Sequence, residues 1–155
     1  KENITLNQVK KGTKFKEVSM GMNFSLALDI QGNLWTTGNN TYGQLGDGTT
    51  TSKKEFVQIK KGTEFTKIDA GPNNSTAIDT NGNLYFWGMD WETLNESQPS
   101  LTECYNTPQV VMKGTKFIDI ASGSRWSAAL TENGKIYVWG ENFSSYWIFG
   151  SDIRL

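Results

Sequence analysis

The sequence predicts an all-β protein made of three tandem four-stranded antiparallel blades, and three observations carry that prediction. Gly12, Gly21, Gly32 and Gly38 return 50 residues later as Gly62, Gly71, Gly82 and Gly88, then 52 residues later as Gly114, Gly123, Gly134 and Gly140. A period near 50 with fixed glycines marks an array of one repeated unit. Between the glycines lie short alternating runs bounded by turn residues, with no helical period of useful length. Four such strands per period make a unit the size of one propeller blade. The chain of 155 residues therefore reads as a single repeat domain, 1–155, with units at about 11–60, 61–112 and 113–155.

Taken in order, residues 3–10 resemble the segments that close the later units, Phe56 to Lys60 and Gln109 to Met112. They are predicted to be a closing strand that belongs to a preceding or partner blade. Phe15 to Met20 then alternates apolar and polar residues, with echoes at Phe65 to Ala70 and Phe117 to Ala121, so each is a strand. Phe24 to Leu28, a turn ending in Gly32, and Asn33 to Thr37 form a hairpin. Gly32, Gly82 and Gly134 reach positive φ there without a Cβ penalty, and Asp29, Asp79 or Thr131 bonds the backbone two residues on. The return strands are aromatic, with Trp35, then Tyr85 and Trp87, then Tyr137 and Trp139, which suits a sheet packed on another sheet. The variable stretches are loops at Asn39 to Glu55 and Met89 to Pro108, and Glu141 to Leu155 ends before a fourth strand.

Composition bounds the function. The net charge of −1 supplies no global field toward nucleic acid or an anionic membrane. No run of eighteen apolar residues predicts a spanning helix, and Lys1 to Leu6 does not read as a signal peptide. The compartment stays open, since Cys104 is the single cysteine. With zero His, the usual zinc sites and His-based triads are excluded, and no metal or cofactor site is predicted. Glycosylation triplets at Asn3, Asn23, Asn39, Asn73, Asn74, Asn95 and Asn142 read as products of Asn richness, several of them inside predicted strands.

Gly-x-x-x-Ser-x-Ala-Leu from Gly21, followed by the hairpin glycines and by Tyr42-Gly43-Gln44-Leu45-Gly46, resembles the repeat of the regulator of chromosome condensation family. The likeness is fullest over residues 12–60 and weakens after Gly88, because Asp90 to Leu94 does not repeat the linking signature. Tyr146 to Gly150 keeps only its spacing and last glycine. The resemblance implies a β-propeller, usually of seven blades, of which this chain is a part. It also implies a binding platform, since members include guanine-nucleotide exchange factors for small GTPases and chromatin-docking proteins. Where the family often has His before the first hairpin's Ser, this chain has Phe24, Asn74 and Trp126.

Each candidate site has a packing alternative. Gly43, Gln44, Leu45 and Gly46 lack the Lys and the strand-to-helix setting of a phosphate loop, so they are read as the lock between blades. Trp87 and Trp139 share one repeat position and are read as packing residues. Asp29, Asp79, Asp69 and Asp119 repeat with the unit instead of converging, which points to turn and strand-end roles. Lys10, Lys11, Lys60, Lys61 and Lys113 form a row along one rim, offset by nearby acids. Trp91, Tyr105, Tyr146 and Trp147 do not repeat, so blade packing does not require them, and they are the candidate partner-binding residues, with burial in a cap over the terminal blade as the equal alternative.

The resulting expectation is a non-enzymatic protein-binding module or scaffold. Guanine-nucleotide exchange on a small GTPase is the alternative, and chromatin or DNA docking through the lysine row is weaker. A three-blade arc also predicts either a longer parent protein or self-association through its open blade ends.

Overall fold

The computed structural model of the chain describes residues 7–89 and 104–140. Its strands are β1 (Phe15–Met20), β2 (Phe24–Asp29), β3 (Leu34–Gly38), β4 (Lys53–Ile59), β5 (Phe65–Ala70), β6 (Asn74–Asp79), β7 (Leu84–Met89), β8 (Cys104–Val111), β9 (Phe117–Ser122), β10 (Trp126–Thr131) and β11 (Ile136–Gly140). They pair in sequence order into three antiparallel sheets, β1–β4, β5–β8 and β9–β11, which we call blades 1, 2 and 3. No helix occurs among the described residues, so none is long and apolar enough to cross a membrane.

The repeat fixes irregularities as well as strands. In each blade the first strand pairs with the second through a one-residue register shift, which leaves Lys16, Thr66 and Ile118 unpaired. Such a bulge sharpens the strand's twist. The third strand has Gly38, Gly88 or Gly140 at its end or, in β7, one residue before it, at φ 110, 91 and 133. A Cβ there would lie 2.5, 2.6 or 2.2 Å from a backbone oxygen of the preceding turn, so no other residue fits.

Packing within and between blades is equally regular. The first strand's Phe meets the third strand's aromatic edge-on in all three blades: Phe15 with Trp35 at 6.5 Å, Phe65 with Tyr85 at 5.4 Å and Phe117 with Tyr137 at 6.0 Å. One core joins Leu26, Leu28, Leu34 and Ile59 of blade 1 to Phe65, Ile68, Tyr85 and Trp87 of blade 2. A second joins Ile78, Leu84 and Phe86 of blade 2 to Phe117, Ala129 and Trp139 of blade 3. Blade 2 thus buries both faces against its neighbours, as stacked sheets must.

Two strand boundaries depart from the sequence reading. The fourth strands begin earlier than predicted, at Lys53 and Cys104 in place of Phe56 and Gln109, and they end before Lys60 and Met112. These are outer edge strands, where exposed Lys and Glu and a Pro are tolerated, so charge and Pro108 hide them from a pattern search. Lys60 and Met112 have left-handed backbone (φ 48 and 47), which ends each strand. Residues 7–10 of the predicted closing strand are not in a strand, and residues 1–6 lie outside the described residues.

Candidate functional site

The loop between β3 and β4 is rich in Asn, Thr, Asp and Gly, which bond readily to nearby backbone. Asn40 is wholly buried at its centre. Its Nδ2 donates to Asp47 Oδ1 at 3.1 Å and to the Thr49 carbonyl at 2.9 Å, and its Oδ1 accepts from Leu45 N at 2.9 Å. Asp47 also accepts from Thr49 Oγ1 at 2.7 Å and pairs with Lys53 at 3.1 Å. Burial works to raise the Asp47 carboxyl, but the Thr49 bonds and the Lys53 ammonium hold it below the usual carboxylate range. Gln44 accepts from Tyr42 N at 2.9 Å and donates to Asn39 Oδ1 at 3.0 Å. With these polar groups paired within it, the loop is held in one shape.

That shape reaches across to blade 2. The Gln44 carbonyl accepts from Ser75 Oγ at 2.8 Å and from Trp87 Nε1 at 2.9 Å. Leu45 is fully buried in the core between the blades. Gly46 has φ 71, and a Cβ on it would lie 2.7 Å from Trp87 Nε1. Asn106 of β8 clasps the loop from outside: its carbonyl accepts from Gly48 N at 2.8 Å and its Nδ2 donates to the Gly48 carbonyl at 3.1 Å. A Cβ on Gly43 would lie 2.6 Å from Asn106 Cα.

The molecule has two unlike ends. At one, Asn39 N donates to the Asn23 carbonyl and Met89 N to the Asn73 carbonyl, so the β1–β2 and β5–β6 turns share an end with the long loops. At the other, Ile30 N donates to the Lys14 carbonyl and Thr80 N to the Glu64 carbonyl, which joins the hairpin turns to the blade-linking turns. The first two hairpins are built around buried acids. Asp29 accepts from Gln31 N at 3.0 Å, Asn33 N at 2.9 Å, Asn33 Nδ2 at 2.9 Å and Trp35 Nε1 at 2.9 Å. Burial alone would raise its carboxyl, but the bonds from Trp35, Asn33 and Gln31 win and lower it. Asp79 repeats the arrangement, with the Tyr85 hydroxyl in place of the indole at 3.3 Å. Burial, and then the Asp79 charge, push the Tyr85 phenol up.

Of the candidate partner-binding aromatics, Tyr105 lies in β8 and not in a loop, because the edge strand starts at Cys104. It is 44% exposed and meets Phe86 edge-on at 6.4 Å. Trp91, Tyr146 and Trp147 lie outside the described residues. Trp87 is fully buried and Trp139 is 9% exposed. The lysine row sits at the turn end, but two members are already engaged. Lys10 Nζ lies 4.5 Å over the Trp35 ring and Lys60 Nζ 5.6 Å over Tyr85. Lys11, Lys61 and Lys113 are exposed.

Asp69 is the next-to-last residue of β5, whereas Asp119 lies mid-strand in β9, away from the strand end expected for it. A cleft of about 370 Å³ runs along β1, β5 and β9. In it Asp69 accepts from Ser19 Oγ of blade 1 at 3.0 Å and from Ser122 N of blade 3, so one carboxylate ties three blades. Glu17 accepts from Ile68 N at 3.3 Å, and Lys67 pairs with Asp119 at 3.4 Å. These groups are committed to one another. Among the described residues, no three of His, Cys, Asp and Glu are grouped to hold a metal ion. Sequence reasoning missed Asn40, Ser75 and Asn106. In a chain this rich in Asn only the spacing of Asn40 from the linking signature singles it out, and nothing local marks Asn106.

Two profiles of the regulator of chromosome condensation (RCC1) repeat match the chain, one over residues 15–44 and 117–145 and the other over 31–78. Together they span more than half of it. No curated protein sequence matches. Among solved structures, human WBSCR16 superimposes with a TM-score of 0.73 at 21% identity, covering 87% of this chain and 35% of its own. Yeast RCC1 (Prp20) bound to Kap60 gives 0.69 at 24% identity, covering 83% of this chain and 32% of its own. Prp20p of Saccharomyces cerevisiae gives 0.67 at 22% identity, with 83% and 33% covered. The chain spans about a third of the length of each. At these identities the likeness is one of fold, that of consecutive blades of a β-propeller.

Proposed function

Because the chain belongs to the regulator of chromosome condensation repeat family, we propose that it serves as a non-enzymatic protein-binding module, with the loop end of the blades as its working face. The observation that carries this reading is the internal bonding of the β3–β4 loop and its clasp by Gln44, Ser75 and Asn106. A surface loop held this firmly loses little conformational freedom when a partner docks, which favours recognition. Tyr105 stands beside it, close to Asn106, half exposed on a buried aromatic. Large aromatics on rigid supports are frequent binding hot spots. Trp91, Tyr146 and Trp147 complete the proposed contact set from the sequence.

A second reading, guanine-nucleotide exchange on a small GTPase, draws on the Prp20p structure, which was described with its binding to Gsp1p and histones. The experiment compares the chain with Tyr105→Ala. Proteins retained by each are quantified, and nucleotide release is followed from a panel of small GTPases. The binding reading expects a partner retained by the parent chain and weakened at least tenfold in the variant, with melting temperature nearly unchanged. Accelerated nucleotide release at substoichiometric amounts of the chain would replace it with exchange.

A further inference from the structure

The turn end of the blades, which a loop-end binding face leaves unused, is built from one repeated motif. In each linking turn the carbonyl of Lys10, Lys60 or Met112 accepts from Thr13, Thr63 or Thr115 N, at 3.2, 3.1 and 3.1 Å. Gly12, Gly62 and Gly114 hold the third place at φ 89, 86 and 88, the left-handed backbone such a turn requires. A Cβ on any of them would meet nothing within 4 Å, so each tip stands clear of its surroundings. The second place is Lys11, Lys61 or Lys113, exposed each time. No hydrogen bond or ion pair engages these three side chains.

Charge is segregated toward this end, although the whole chain carries only −1. Most acids that neighbour the lysine row in sequence are not its neighbours in space. Glu17 and Asp69 lie in the cleft along the innermost strands, accepting from Ile68 N and Ser19 Oγ, and Asp119 pairs there with Lys67. Glu55 is on β4, two residues from Lys53, which sits opposite Gly38 at the loop end. Among the described residues, Glu64 and Glu132 are the exposed acids of the turn end, where Thr80 N donates to the Glu64 carbonyl and Glu132 N to the Lys116 carbonyl. Lys14, Lys116 and Lys135 are exposed there and add to the row. Positive charge outnumbers negative at this end even with the buried Asp29 and Asp79 counted.

We propose that the turn end binds an extended acidic protein segment, with one carboxylate meeting the lysine of each linking turn. Each turn hands one blade to the next, so successive tips are spaced as stacked sheets are, on the order of 10 Å. An extended chain rises about 3.3 Å per residue, so side chains three residues apart match that spacing. Nucleic acid fits this face less well. Among the described residues the turn end has no Arg to fork onto a phosphate and no exposed aromatic to stack on a base, since Arg125, Trp126 and Tyr105 belong to the loop end. A continuous phosphate backbone would also lie against Glu64 and Glu132, which spaced carboxylates avoid.

The test is fluorescence anisotropy at low salt, with the 155-residue chain and a labelled synthetic peptide that repeats Glu-Ser-Gly. The peptide should bind, and added salt should weaken it, since exposed charges are screened beyond about 10 Å at 0.1 M. A peptide of the same composition with its glutamates in one block should bind more weakly, because it cannot reach three turns with carboxylates. Combining Lys11→Glu, Lys61→Glu and Lys113→Glu should weaken binding by about tenfold or more and leave the melting temperature unchanged. Lys54→Glu alters net charge as Lys61→Glu does, at an exposed site on the outer strand β4, so Lys61→Glu should cost the more binding. Absence of binding, equal affinity for the two peptides, or equal losses from Lys54→Glu and Lys61→Glu would each overturn the proposal. Tighter binding of a duplex DNA, lost in the triple variant, would overturn it by giving the row to nucleic acid.

Discussion

At the junction of blades 1 and 2 the linking loop crosses over, and the Gln44 carbonyl collects bonds from Ser75 Oγ and Trp87 Nε1. At the junction of blades 2 and 3, the same repeat positions hold Ser127 and Trp139. There Ser127 Oγ lies 3.3 Å from Ser122 Oγ within its own blade, and Trp139 rests edge-on against Phe86 at 6.5 Å. The Phe–aromatic pair is common to all three blades; among the described residues the loop latch occurs at the first junction, residues 90–103 of the next loop lying outside them. Packing and latching are thus separate layers of the design. The glycine and aromatic repeat sets how sheets stack, and the Tyr42 to Gly46 signature adds directional bonds on top.

The largest expected effect probes that separation. Trp87→Ala removes a fully buried indole together with a donor to the Gln44 carbonyl, and should cost about 3–5 kcal/mol of stability. Trp139→Ala should cost less, because its ring is 9% exposed where Trp87 is fully buried. Urea unfolding of the two variants measures both; equal losses would mean the latch adds nothing to packing. Next comes Gly46→Ala. Its backbone is left-handed and the new methyl would meet Trp87 Nε1, so about 2–4 kcal/mol should be lost. A loss below 0.5 kcal/mol, the usual span of a harmless surface change, would show that the loop slides instead of locking.

Much of this was readable in advance, for a physical reason. A glycine forced by a close backbone, as at Gly38, or an aromatic packed on the first strand's Phe, as at Tyr85, leaves a mark at every repeat, and three copies make it unmistakable. The strands β4 and β8 were read short because an outer edge strand is held by its neighbour's backbone and not by an amphipathic pattern. Tyr105 was placed in a loop for the same reason. The bonding of Asp69 across three blades was not legible, because its partners, Ser19 and Ser122, lie about fifty residues away on either side. Contacts between side chains that differ from blade to blade carry no periodic signal.

A third effect separates the hairpins from the junctions. Asp29→Asn keeps the shape but halves the acceptors offered to Gln31, Asn33 and Trp35, and should cost about 1–3 kcal/mol at neutral pH. The folded carboxyl titrates below its unfolded value, so its contribution is fully present above about pH 4 and disappears as pH falls through the folded pKa. The parent chain should therefore lose stability on acidification more steeply than the variant, as followed by thermal melts between pH 6 and 2.5. Parallel pH curves would remove Asp29 from the account of acid unfolding.

The smallest effect concerns the residue that hands one blade to the next. Lys60 sits over Tyr85 at the first junction. At the second the same place is held by Met112, packed on the core that also takes in Tyr137. Both have left-handed backbone, so Lys60→Met asks nothing new of the main chain. An exposed cation over a ring contributes about 0.5–1 kcal/mol, and a thioether against an aromatic contributes a similar amount. The substitution should therefore shift stability by less than about 1 kcal/mol, and should make the first junction less sensitive to salt, since the contact no longer depends on charge. Melting temperatures of the parent and the variant from low to high salt provide the measurement. A loss above about 2 kcal/mol would mean that the Lys60 ammonium holds the junction itself, and that the two junctions differ in their turns as well as in their loops.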